Sequence, residues 1–198
     1  MYNENTMARR YTLKRRAESQ AETRQRIVDA AVALHTELGP ALTSLSRVAE
    51  RAGVQRNTLY AHFPDERSLL MACSGQAIER DPLPDANAWR EIRKTEQRLK
   101  TGLSAVYEWY ERNAQLAGCV LRDAELNPLV GEIAALRYGP PMGLIEAVLG
   151  EGLATEQRAV LKLALAFATW RSLTRDSALA AEVAVGAMAK AIVRVSDT

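Results

Sequence analysis

The stretch from Leu45 to His62 constrains this chain more than any other. It reads as two short helices joined at Gly53. A tight turn between helices needs a residue that tolerates a left-handed backbone, and Gly53 supplies it. Close crossing of the two helices needs a small side chain, and Ala49 sits four residues before the glycine. Apolar residues must then hold the pair against a neighbouring helix, and Val48, Ala52, Val54 and Leu59 are spaced for that. An αα-hairpin inside a larger bundle would explain this apolar set equally well. It does not explain the outward set of Gln55, Arg56, Asn57, Thr58, Tyr60 and His62. These side chains can donate to phosphates or read base edges, where a merely solvated helix would carry more Glu and Lys. The pattern is that of a helix-turn-helix at residues 45–62, whose second helix enters the major groove of DNA.

The flanks agree with it. Ile27, Ala30, Ala31, Leu34 and Leu38 recur at helical spacing and predict an amphipathic helix from Ala21, stopped by Gly39-Pro40. Thr43 or Ser44 is placed to cap the next helix, and Asp65 to cap a fourth over Glu66–Arg80. Residues 1–20 are polar and charged without apolar period, and are expected to form a basic flexible arm.

Over residues 24–72 the chain resembles the N-terminal domain of the TetR family of bacterial repressors. The resemblance rests on the run from Thr43 to Val54, on Asn57-Thr58-Leu59-Tyr60-Ala61-His62-Phe63, and on Leu69-Leu70. It implies that Gln55 and Arg56 read bases, and that Thr58, Tyr60 and His62 match positions that usually hold phosphate. Thr43 and Ser44 would offer hydroxyls to the backbone. One departure stands out. The family often carries a lysine three residues after the Phe, where this chain has Glu66 with Arg67 beside it, so Arg67 takes over that phosphate contact or the contact is missing.

Charge supports a polyanion partner at one end only. The formal net charge is +2, but the first 64 residues hold ten Lys/Arg against six Asp/Glu, while the remainder holds 16 against 18. Arg9, Arg10, Lys14, Arg15 and Arg16 could reach a minor groove from the arm, or tether it non-specifically.

The rest of the chain shows no period-two alternation, and the fold expected is all-α. It would be an N-terminal three-helix helix-turn-helix domain (residues 21–66) followed by a C-terminal helical bundle (67–198), with about nine helices in total. Asp81-Pro82-Leu83-Pro84-Asp85 is the clearest break. Helices are expected over 88–116, 117–126, 129–138, onward to Leu149 after a break or kink at Gly139-Pro140-Pro141, then over 155–174 and 177–195.

Two roles fall to this second part. One short reading helix gives weak affinity, so two copies should read a near-palindromic operator as a homodimer. Val160, Ala164, Phe167 and Ala168, with Ala184, Ala187 and Ala191, form helical faces suited to that contact. Trp89, Tyr107, Trp109, Tyr110, Tyr138 and Met142 could line a pocket for an unknown, largely apolar small-molecule effector, or form plain core. Trp109 and Tyr110 are adjacent and should not both face one cavity squarely. Asp123, Glu125 and Arg122 are read as a solvated face.

Enzymatic activity is not expected. Gly150-Glu151-Gly152 lacks the third glycine and preceding strand of a phosphate loop, and His35 and His62 are isolated. Cys73 and Cys119 read as thiols in apolar helical surroundings, with no metal-ligand spacing, and no cofactor is expected. No apolar run is long enough for a membrane span, and a cytoplasmic location is the default. The reading is a DNA-binding transcriptional regulator, a repressor by family habit. The alternatives are an activator with the same DNA-binding domain, and a helical interaction or scaffold module.

Overall fold

The computed structural model describes residues 4–195 and resolves them into two units, divided after Ala77. Among the described residues there are nine α-helices and no strands, as expected.

The first unit opens with α1, Glu4–Glu37, and α2, Leu45–Ala52, packs against it. α3, Arg56–His62, lies against both, and α4 covers Glu66–Arg80. The amphipathic set of α1 is buried as its spacing predicts: Ile27, Ala31 and Leu34 meet a core that includes Val48, Leu59, Phe63 and Leu70. The arm expected over residues 1–20 is helical from Glu4 onward. The missing apolar period was a poor guide there, because a helix can carry charged residues all round and gain from pairs such as Lys14–Glu18 at 3.8 Å. The side chains of Arg9 and Arg10 lie outside the described residues. The unit also extends past residue 66. α4 buries Leu69, Leu70 and Cys73, and the Cys73 sulfur sits 3.4 Å from Nδ1 of the buried His35 on α1.

The second unit is built on α5, Thr95–Ala124, and α6, Pro128–Leu149. α7 (Thr155–Leu165), α8 (Phe167–Arg171) and α9 (Ala181–Arg194) complete it. A 3-10 turn at Ala86–Trp89, capped by Asp85, joins the core before α5. α5 and α6 approach closely at Gly102, where a Cβ would stand 2.5 Å from a Leu149 methyl. Leu99, Leu103, Val106, Ile145 and Val148 fill the rest of that seam.

Four details of this unit differ from the sequence expectation. α5 is one continuous helix rather than two, so Gly118 does not break it. α6 runs through Pro140 and Pro141. Each proline removes a ladder bond to the carbonyl four residues back, at Leu136 and Arg137. Leu136, Gly139 and Pro140 lie on the exposed side, so the loss occurs where water can compensate. The helix expected over 155–174 is interrupted at Ala166, whose backbone is extended, with φ −70° and ψ 134°. It ends in a wide π-turn, Ser172–Asp176. The last helix begins at Ala181 rather than 177.

Candidate nucleic-acid interface and C-terminal cavity

The turn at Gly53 has the geometry the sequence demands. Gly53 adopts φ 65°, ψ 39°, its N–H reaches the carbonyls at the end of α2, and Val54 N donates to Ala49 O at 3.0 Å. This double bonding is a Schellman stop, which satisfies carbonyls a helix end otherwise leaves open. Val48 and Ala49 are buried beneath it.

Two contacts fix the pair on α1. Arg51 grips Glu37 with two hydrogen bonds, at 2.6 and 3.1 Å, and holds that carboxyl below its ordinary range. At the far end of α3, the Arg24 guanidinium lies 4.7 Å from the centre of the Phe63 ring. Sequence reasoning did not single out Arg24. The available signal was its place three residues before the buried Ile27, one helical turn away on α1.

Gln55, Arg56, Asn57 and Tyr60 are exposed, and Thr58 and His62 are half-buried. Gln55 precedes α3, and its side chain makes no capping bond. The two hydroxyls at the start of α2 are not equivalent. Thr43 Oγ1 donates to Gly39 O at 2.7 Å, so its proton is committed. Ser44 caps α2 by accepting from Arg47 N at 3.3 Å, which leaves its own proton for another acceptor. Of the two hydroxyls, Ser44 is therefore the one with a proton left to donate. At α4, Asp65 accepts from Ser68 N at 2.7 Å, and this bond lowers its pKa. Glu66 and Arg67 are both exposed beyond it.

In the second unit, a cavity of about 500 Å³ opens between α5, α6 and the α7–α8 junction. Trp109, Tyr110, Tyr138 and Met142 line it, together with Phe167, Leu83 and others. Trp109 and Tyr110, adjacent in sequence, both contribute. Their rings meet nearly edge to face, with centres 5.7 Å apart, so the adjacent side chains bend around one corner of the space. Trp89 and Tyr107 are not in the wall. Both are buried in the surrounding core, and burial pushes the Tyr107 phenol up to about 12.

The junction has a specific cause. With Ala166 extended, Ala164 O and Leu165 O lose their helical donors, and two tyrosines one turn apart on α5 supply replacements. Tyr107 donates to Ala164 O at 3.0 Å and Tyr110 to Leu165 O at 2.7 Å. Ala164 and Ala184, expected on a dimer face, are fully buried in the chain's own core, and Phe167 is nearly so. The break at Ala166 shifts the helical phase of Phe167 and Ala168 relative to Val160 and Ala164. Val160 and Ala191 are half-buried, while Ala168 and Ala187 are exposed. Asp123 is also buried rather than solvated, held by Arg122 at 2.7 Å.

No helix among the described residues is long and apolar enough to cross a membrane. Among the same residues, no group of three His, Cys, Asp or Glu could hold a metal ion.

Comparison with known proteins agrees with the first unit's geometry. Residues 27–73 match the family described as bacterial regulatory proteins, tetR family. The HTH-type transcriptional repressor KstR of Mycolicibacterium smegmatis is 34% identical over 116 residues, covering 59% of this chain and 50% of that protein. The chain thus spans about half the length of the curated relatives it matches. Among solved structures, the regulator FadR of Bacillus subtilis in complex with stearoyl-CoA is similar, with a TM-score of 0.60 and 19% identity. It covers 86% of this chain and 97% of its own. A regulator of Saccharomonospora viridis in complex with choline gives 0.57 and 16%, covering 88% and 97%. At those identities the likeness is one of fold, and it extends across both units. With its helix-turn-helix formed as the motif requires, the segment 27–73 is a DNA-binding domain of the tetR type.

Proposed function

We propose that the protein is a sequence-specific DNA-binding transcriptional repressor. It acts as a homodimer on a near-palindromic operator and is released by a small molecule held in the C-terminal cavity. The observation that carries this reading is α3, which is short, seated on Leu59, and presents Gln55, Arg56, Asn57 and Tyr60 outward. Arg56 is the principal base reader, since a guanidinium can bond guanine in bidentate fashion. Gln55 assists it. Ser44, Thr58, Tyr60, His62 and Arg67 take the phosphate backbone.

The homodimer is supported by apolar side chains left outside on α7 and α9. Leu163 is 59% exposed, Val183 56% and Val193 42%, with Ala187 exposed between the two valines. These replace the buried alanines as the contact surface. The effector reading is supported by the cavity's size and apolar walls. FadR and the Saccharomonospora viridis regulator were solved with very different molecules, an acyl thioester and a small quaternary ammonium, so the fold alone does not choose the ligand.

Gel shift against the DNA upstream of the protein's own coding region tests the reading. Arg56→Ala is expected to weaken the specific complex by about 1–3 kcal/mol while sparing non-specific binding. Unaltered binding by Arg56→Ala would sink the assignment of α3.

A further inference from the structure

The cavity carries information about the charge of what it holds. Four rings line it in an unbroken run, Tyr138, Trp109, Tyr110 and Phe167, with successive centres 5.8, 5.7 and 5.2 Å apart. Their planes meet at 67°, 64° and 84°. Rings at such angles make the walls of a corner rather than a stack, so they can surround one group from several sides. The polar hydrogens of the two central rings are spent elsewhere. Trp109 Nε1 donates to Asp81 O at 2.9 Å, and Tyr110 Oη donates to Leu165 O at 2.7 Å. An anion inside would find neither of these donors available, and aromatic faces repel it. A cation is attracted by the same faces.

Two charged residues reach the cavity, Glu146 and Lys162. Glu146 continues the stripe Tyr138–Met142–Glu146, spaced by four along α6, and all three line the space. Its side chain is 42% exposed, against 74% for Lys162. The two approach only to 4.0 Å, the outer limit of pairing. Lys162 is thus the more solvent-screened charge, on a long stem that can swing outward. Glu146 is the more sheltered, and its field inside the cavity is the stronger.

From this arrangement we propose that the effector is a lipophilic monocation, an organic ammonium on an apolar body. The rings enclose its body, and the Glu146 carboxylate faces its charge while Lys162 is displaced. The proposal rests on the reading of this cavity as the effector site, and deepens it by naming the ligand class.

The test uses three probes with the same ten-carbon tail, each below its micelle-forming concentration: decyltrimethylammonium, decanol and decanoate. Binding to the full-length protein is measured by calorimetry and tryptophan fluorescence. The cation is expected to bind about tenfold or more tighter than either other probe, a difference well within what a charge and an aromatic corner supply. Glu146→Gln is expected to bring cation and alcohol to within about threefold, and Lys162→Gln to hold or raise cation affinity. Helix content and melting temperature, read on each variant, separate a lost charge from a lost fold. Tighter binding of decanoate, or a cation preference that survives in folded Glu146→Gln, overturns the proposal. Gel shift on the same samples keeps the two readings apart. Cation binding with no DNA complex would refute the regulator and leave the charge preference standing, and a DNA complex with no cation preference would do the reverse.

Discussion

Replacing Gly53 with alanine isolates one energetic cost at the centre of the helix-turn-helix. A Cβ built there meets nothing within 4 Å, so the substitution creates no clash. What remains is the backbone, held at φ +65°. A left-handed conformation costs an L-residue about 1–2 kcal/mol. Alanine also narrows the unfolded ensemble, which offsets about 0.4–1 kcal/mol. The net loss is then roughly 0–1.6 kcal/mol, centred on about 0.8 kcal/mol. With a urea slope of about 1–3 kcal/mol per molar, the midpoint should fall by about half a molar. Asparagine tolerates this conformation better and should lose less, while valine, branched at Cβ, should lose more. Urea unfolding of the full chain, followed by helix content, gives the order Gly, Asn, Ala, Val. Because the turn sets the angle of α3, operator affinity in gel shift should fall in the same order. An alanine variant as stable as the parent, or an asparagine variant less stable than alanine, would refute the argument from φ.

Other consequences can be checked directly. Tyr107→Phe leaves the buried Ala164 carbonyl without its donor and should cost about 1–3 kcal/mol in thermal unfolding; an unchanged transition would mean that the bond is immaterial. The same phenol is raised by burial from 10.0 to about 12. Its neutral form is favoured in the fold, so its contribution is complete below pH 10.0 and is lost as pH rises through about 12. Unfolding that tracks tyrosinate absorbance across that window, and flattens in Tyr107→Phe, is the expected record. Val183→Asp, placed on an exposed apolar position of α9, should give a monomer of unchanged helix content by light scattering. A dimer unaffected by this change would move the interface elsewhere.

The first unit was largely legible because its rules are local. Gly53, Ala49 and the spacing of Ile27, Ala31 and Leu34 each act within a turn or two, and all behave as their chemistry requires. The role of α4 in that unit was not visible, since Leu69, Leu70 and Cys73 reveal their burial only against α1 and its neighbours. In the second unit, local rules misled wherever packing overrode them. Pro140 and Pro141 announce a break, yet α6 continues because Val130 and Ile133 on one side of them and Ile145, Val148 and Leu149 on the other are buried, and its weakened turn faces water. Nothing around Ala166 announces a break, yet α7 ends there. Missing that break put Phe167 and Ala168 in helical phase with Val160 and Ala164, a phase they do not keep. Part of what decides the break lies 55–57 residues away, in Tyr107 and Tyr110.

The break and the cavity share a residue, and that makes a prediction about motion. Tyr110 lines the cavity with its ring and holds Leu165 O with its hydroxyl. A ligand pressed against the ring therefore resists any rotation that would release the carbonyl. Ligand contacts only with Leu83 and Met142 would put no such restraint on the junction. The amides of Thr169 and Trp170 both bond to Ala166 O, so their exchange with solvent reports how often the junction opens. In the parent protein, saturating ligand should slow exchange at these two amides. In Tyr110→Phe the ring remains and the bond does not, so ligand should still bind but protect them less. Equal protection in both proteins would mean that the ligand steadies the junction through Phe167 and Leu165 directly, with Tyr110 serving only as wall. Unequal protection would mean that one hydroxyl couples cavity to junction, since it is the only atom the substitution removes.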